Sequence, residues 1–269
     1  MRPTLPKCIL HFSIAFPANM TNWISIWRRN CLVWRKLGIL SMFGNLADPV
    51  IYLFGLGLGL GAMVGNIEGV SYISFLAAGT VSSSIMMSAS FESMYSVFSR
   101  MHVQRSWEAI MHTPLSLGDI LIGEIIWTAS KALLSGIVII FISSILGYAS
   151  LLSVFTTLPV IALAGLAFAS LAMIVTSVAT SYDFFMFYQR LVLTPMLLLS
   201  GAFFPIKKLP EIVQHVSHLL PLVHAIELIR PAMLGQPATH IVAHITILIV
   251  YILVGFIISA SLFQRRMSF

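Results

Sequence analysis

The stretch WISIWRRNCLVWRKLGILSMFGNLADPVIYLFGLGLGLGAMVG, residues 23–65, runs a basic, tryptophan-rich segment directly into a glycine-studded apolar one. Trp23, Trp27 and Trp34 with Ile24, Ile26 and Val33 offer an apolar surface, while Arg28, Arg29, Arg35 and Lys36 carry charge that anionic lipid headgroups attract. The combination predicts an amphipathic helix lying along a membrane surface. Residues 37–64 come next without a linker and, at about 1.5 Å per residue, are long enough to cross about 30 Å of hydrocarbon despite Asn45, Asp48 and Pro49. Gly55, Gly57, Gly59, Gly61 and Gly65 give small-xxx-small pairs at 55/59, 57/61 and 61/65, which let helices approach closely, within one subunit or between two copies. Alternation of Gly and Leu would suit a strand in water, but a lone strand in lipid leaves backbone groups unpaired, so helix is expected.

The rest of the chain agrees with that beginning. With 58% apolar residues, 9% charged residues and a mean hydropathy of +0.97, it reads as an all-α polytopic membrane protein. The formal charge of +6 lies at the edges of apolar runs, where it sets orientation rather than forming a nucleic-acid surface. Cys8 and Cys31 both precede the first span and imply no disulfide framework. Six runs have spanning length: 37–64, 70–98, 120–146, 155–178, 184–204 and 241–263. An even number places both termini on one side. With that side inside, the inner segments hold Arg2, Lys7, Arg28, Arg29, Arg35, Lys36, Arg100, Arg105, Arg190, Arg265 and Arg266, against Lys207, Lys208 and Arg230 outside, so the termini are expected in the cytoplasm. Residues 1–20 begin like a secretory signal but lack an A-x-A-like site, and cleavage would strand the basic helix outside. They are expected to be a flexible leader or an over-extended start with Met20 as an alternative initiator, ahead of a transmembrane domain over 21–266 and a tail at 267–269.

Two connecting regions are long. Residues 99–119 include a short helix expected over 105–111, ended near His112 by the effect of Pro114 on the residues before it. Held between two spans, it is either a lever that takes force from a soluble partner, with Trp107 and Ile110 as apolar knobs and Arg105 and Glu108 as polar contacts, or an amphipathic connector resting on headgroups. Residues 201–240 are cut by Pro205, Pro210, Pro221, Pro231 and Pro237 into pieces expected at 211–220 and 222–230, too short to span, that lie in or dip into the outer leaflet as a lid. His215 and His218, and His240 and His244, have helical metal-ligand spacing, but no cysteine or carboxylate pattern completes a site, and no metal is expected.

Ionisable residues inside spans are costly and few: Asp48, Glu92, Glu124 and Lys131. Glu124 and Lys131, two helical turns apart, either reach toward each other or line a polar interior, while Asp48, Glu92 and Glu124 are expected near enough to the interface to meet water or helix ends. The chain has no phosphate-binding loop, H-E-x-x-H, G-x-S-x-G or dinucleotide fingerprint, so any ATP that drives it is hydrolysed on another chain. An embedded enzyme lacks a nucleophile or metal pattern here. A stand-alone carrier commonly shows two related halves, and none is evident.

The order of basic helix, six spans, an inner E-x4-T-P-x4-D-x3-G-E loop (108–124) and a long outer re-entrant segment resembles the ABC-2 type export permeases. NCLVWRKL (30–37), GNLADPVIYLFGLGLGLG (44–61), GVSYISFLAAG (69–79), PVIALAGLAFASLAM (159–173), SYDFF (181–185), TPMLLLSGAFFP (194–205) and LIRPAMLG (228–235) are similar to the nodulation-protein-J permeases within that family. The resemblance implies a permease, not an enzyme, in a bacterial inner membrane. It implies a dimer with a second copy, docked on two copies of a separate ATP-binding subunit that holds ATP and Mg, so this chain has no cofactor of its own. The cargo implied is a lipo-oligosaccharide or related glycolipid, with polysaccharides and drugs as alternatives. On this resemblance residues 105–114 are the coupling helix, 23–36 a connecting helix that touches the ATPase, and 205–235 the outer gate.

Overall fold

The computed structural model describes residues 21–36, 38–67, 69–150 and 152–267. The leader expected over 1–20 and the last two residues of the tail lie outside them, as do the side chains of residues 37–48, Asp48 included. The chain is helical from α1 (Trp23–Trp34) and α2 (Gly38–Val64) through a two-residue hairpin, Asn66–Ile67 with Val70–Ser71, into α3 (Tyr72–Phe91). Then come α4 (Ser106–Met111), α5 (Leu117–Ile145), α6 (Leu152–Val178), α7 (Tyr182–Tyr188), α8 (Thr194–Leu199), α9 (Glu211–Ser217), α10 (Pro221–Leu234) and α11 (Ile241–Met267).

Among the described residues, four helical stretches are long and apolar enough to cross a bilayer: Tyr72–Val103, Leu117–Ile145, Leu152–Val178 and Ile241–Met267. The first expected span, 37–64, coincides with the 27-residue α2, in which Pro49–Gly61 is the apolar stretch among the residues whose side chains are described, whereas the fifth does not form one helix. Residues 184–204 divide into α7, a π segment at Gln189–Leu193 and α8, because Gln189, Arg190 and Pro195 interrupt the run. The second span is longer than expected: α3 continues through π segments at Glu92–Val97 and Ser99–Val103. α5 begins early because Ser116 and Asp119 form a capping box.

α3 lies at the centre of the bundle, while α11 exposes most of its length. Lipid offers no hydrophobic drive between helices, so close packing of small residues and hydroxyl bonds must hold them. α3 carries Ala77, Ala78, Gly79, Ser82, Ser83 and Ser84 in succession, all buried, and Ser84 shares a hydrogen bond of 2.5 Å with Ser135 on α5. A Cβ at Gly79 would lie 2.1 Å from the Ala202 carbonyl oxygen, and one at Gly255 would lie 2.8 Å from Ser170 Cβ, which brings α11 onto α6.

The glycines of α2 divide. A Cβ at Gly57 would meet Ile73 at 2.9 Å and one at Gly61 would meet Tyr72 at 4.0 Å, so this pair faces α3. Gly55 and Gly59 have nothing within 4 Å. Gly65, beyond the last turn, has φ +68° and turns the chain into the hairpin. The five therefore make two faces and a turn rather than one seam.

At the opposite end from α1 and α4, α9 and α10 meet at 85°, the bend of a broken span or re-entrant pair, and α10 packs against α3 and α6, burying Leu222, Val223, Ala225, Ile226, Ile229 and Met233. Arg230 closes this contact, its guanidinium carbon 3.7 Å from the Phe75 ring centroid and Nη2 donating to the Gly201 carbonyl at 2.7 Å.

Gly79→Ala forces backbone apart and should cost about 1–3 kcal/mol, lowering the melting temperature of the single subunit in detergent by several degrees, whereas Gly59→Ala, which meets nothing within the subunit, should hold it or raise it slightly.

Candidate functional site

The end of the bundle that carries α1 and α4 holds a cluster of buried charge. Glu92 opens the first π segment of the second span and Arg100 lies in the second. Each extra residue in a π turn rotates the helix beyond it, and here Ser96 Oγ donates to Glu92 Oε2 at 2.8 Å while Arg100 lies over the same carboxylate at 3.2 Å. From α5, Lys131 Nζ donates to Glu92 Oε2 at 2.7 Å and Trp127 Nε1 to Oε1 at 2.9 Å. Glu92 is thereby met from α3 and α5 together.

The second carboxylate, Glu124, is fully buried on α5. Arg100 grips it with two donors, Nε to Oε1 at 3.1 Å and Nη2 to Oε2 at 2.7 Å, the forked geometry that suits guanidinium to carboxylate. Asn30 of α1 donates to Oε2 at 2.9 Å, and Trp107 of α4 donates to Oε1 at 3.4 Å. Arg29 bonds Asn30 at 2.9 Å and stands 3.9 Å from Glu124; burial pushes its guanidinium pKa down from the ordinary value, with the carboxylate pulling the other way. The expectation that Glu92 and Glu124 meet water or helix ends is therefore corrected: both are buried and satisfied by side chains of four elements. Lys131 and Glu124 do belong to one polar interior.

Two expectations for the helices around this cluster are also corrected. Trp107 is no exposed knob: it has no exposed surface and packs on Phe263 of α11 at 5.1 Å. What α4 leaves exposed is Arg105, Glu108, His112 and Pro114, with Ile110 half-buried. Arg105 takes the left-handed conformation, φ +49°, so the helix starts at Ser106, whose hydroxyl donates to the Arg100 carbonyl at 2.9 Å. In α1, Ile26 and Asn30 are buried and Trp27 donates to Ser130 at 3.1 Å, while Trp34 lies edge-on to Trp127 at 6.0 Å. The tryptophans at 27 and 34 thus turn toward α5, and Ile24, Leu32 and Val33 are the exposed apolar residues, with Arg28 and Arg35 beside them. Gly123 permits this docking, since a Cβ there would lie 2.6 Å from Ile26 Cβ. Trp23 is half-buried, its carbonyl 3.0 Å from that same point.

Beside the cluster lies a groove of about 570 Å³ between α1, the inner end of the second span, α5 and the start of α7. At the other end of the protein, α2, the start of α3, α8 and the Phe203–Pro205 stretch enclose an apolar groove of about 530 Å³. The histidines pair differently from their sequence spacing. His224 Nε2 donates to the His218 carbonyl at 3.0 Å, leaving its Nδ1 to accept from His244 Nδ1 at 2.8 Å, a link from α10 to α11. Sequence reasoning also passed over Arg100, Asn30 and Trp127 as members of a site. The available signal was Arg100 two turns beyond Glu92 on the same helical run.

Long apolar helices packed around a buried charge cluster, with a surface helix docked against them, are the architecture of a polytopic membrane protein. The chain belongs to the ABC-2 type transporter family, whose sequence profile matches residues 21–234. It is 56% identical over 253 residues to nodulation protein J of Rhizobium meliloti strain 1021, covering 94% of this chain and 97% of that one. It is 54% identical to nodulation protein J of Sinorhizobium fredii over 95% of this chain and 98% of that one. The inner membrane transport permease YadH of Escherichia coli K12 is 28% identical over 90% and 94% of the two chains.

Arg100→Met should cost about 3–5 kcal/mol by leaving Glu92 to Lys131 and buried Glu124 only to the longer contact with Arg29 at 3.9 Å, and thermal unfolding in detergent reads this directly. Arg100→Met with Glu124→Gln should melt higher than Arg100→Met alone, because the remaining Glu92–Lys131 pair is balanced.

Proposed function

We propose that this chain is the membrane subunit of an ATP-driven exporter that moves a lipo-oligosaccharide or related glycolipid outward across a bacterial inner membrane, with both termini in the cytoplasm. It works as a dimer with a second copy, docked on two copies of a separate ATP-binding subunit that supplies ATP and Mg. The observation that carries this is the construction of α4: an exposed polar face, Arg105, Glu108 and His112, is backed by a fully buried Trp107 bonded to Glu124. A helix merely resting on headgroups has no need of such an anchor. Force on the exposed face passes through Trp107 to α11 and to the charge cluster, and from there to α3, α5 and α1. Closure of the ATP-binding subunits then tilts these elements as a body and opens a path between copies, the rigid-body form of alternating access.

The unpartnered Gly55/Gly59 face of α2, flanked by exposed Ile51, Tyr52 and Leu58, is the face assigned to the second copy. The polar inner groove and the apolar outer groove suit a cargo with a hydrophilic head and a greasy tail. The outer gate is α9–α10, pinned by Arg230 on Phe75 and by His224 on His244.

Glu108→Arg should lower stimulated ATP hydrolysis and transport in the reconstituted complex about tenfold while leaving the melting temperature unchanged. Trp107→Ala should lower both the activity and the melting temperature, since it removes about 3–5 kcal/mol of buried packing. Unaltered hydrolysis and transport in Glu108→Arg would contradict the coupling role.

A further inference from the structure

We infer that the inner groove of about 570 Å³ is the binding site for the glycan head of the transported amphiphile, an inference that rests on the exporter reading above and names where its cargo is first held. Four aromatic rings line it: Trp34 and Trp127 on one side, Tyr95 and Tyr182 on the other. Tyr95 and Tyr182 are stacked, 6.0 Å apart and 8° from parallel. Flat aromatic faces bind the C–H faces of sugar rings, and sugar hydroxyls require donors and acceptors together.

The groove provides both. Gln104 has an amide that donates and accepts, Ser99 a hydroxyl that does either, and Ser96, whose proton goes to Glu92, keeps a lone pair. Trp34 Nε1 is buried with no hydrogen-bond partner, a donor on the groove wall that lacks an acceptor. Three cations face the groove, Arg29, Arg100 and Lys131, and each is set against a buried carboxylate, Glu124 or Glu92, so an anionic headgroup would compete with those pairs whereas a neutral sugar would not. On the opposite face of α7 from Tyr182, exposed Phe184 and Phe187, with Leu191 just beyond the helix, line a separate apolar groove of about 420 Å³ against α6.

The test uses the chain assembled with its ATP-binding subunit in nanodiscs of phosphatidylcholine. The probe is a dodecyl maltotrioside carrying a diazirine on the sugar, with labelled peptides mapped by mass spectrometry. Labelling should concentrate on the segments holding Trp34, Tyr95 and Tyr182, and should be displaced by unlabelled dodecyl maltotrioside but not by dodecyl phosphate. Tyr182→Ala and Trp34→Ala should each reduce it about fivefold, the equivalent of one aromatic contact, while Tyr182→Phe should retain it. ATP hydrolysis by the same discs reports separately on the exporter reading. Labelling that is indifferent to both alanine variants, or displaced equally by dodecyl phosphate, in discs that hydrolyse ATP, overturns the glycan site and leaves the exporter reading standing.

Discussion

Arg100 holds two carboxylates, Glu92 and Glu124, that the fold has removed from water, and the inner half of the protein is arranged around that grip. Desolvating a carboxylate costs several kcal/mol, and the attraction of a cation offsets this only when geometry is good and the remaining lone pairs are bonded. Both conditions are met here. The partners that meet them come from four pieces of chain: Asn30 from α1, Trp107 from α4, Trp127 and Lys131 from α5 and Arg100 from the π-wound end of the second span. None of these elements can leave without taking a hydrogen bond from a buried carboxylate. The cluster is therefore a joint that fixes surface helices to spanning ones, and it explains why short α4, which has no independent stability, is in place.

The outer end is joined by different means. There the contacts are single and mostly between neutral groups: Arg230 over the Phe75 ring and on the Gly201 carbonyl, His224 against His244, and Tyr251 donating to the Leu219 carbonyl. Each ties α10, or the turn before it, to another element with one or two hydrogen bonds. These bonds add to the apolar packing of α10 on α3 and α6, whereas the cluster at the other end joins its elements through many hydrogen bonds to buried charge.

Much of this architecture was legible in the sequence because membranes impose long apolar runs and confine charge to their edges. The runs that became α5, α6 and α11 could be read to within a few residues. What could not be read was direction. Trp27, Trp34 and Trp107 look like residues for lipid or for a partner, and α1 and α4 in isolation would use them so, but a tertiary contact on α5 or α11 claims each one. The π segments that carry Glu92 and Arg100 have no signature in the apolar pattern, which reads the same through an α or a π turn. The glycines of α2 were legible as close-packing residues, yet helical periodicity alone does not say that Gly57 and Gly61 face α3 while Gly55 and Gly59 face outward.

The central claim is that α1, α4 and the inner ends of the spans move as one body. It is tested most directly by pulsed electron–electron distance measurement between spin labels at Ser25 on α1 and Ala109 on α4, both exposed, in a background lacking Cys8 and Cys31. The complex with its ATP-binding subunit is compared without nucleotide and with ATP trapped. The account predicts the same narrow distance distribution in both states, broadening only when Arg100→Met is introduced. A distribution that shifts between the two states with Arg100 intact would contradict it.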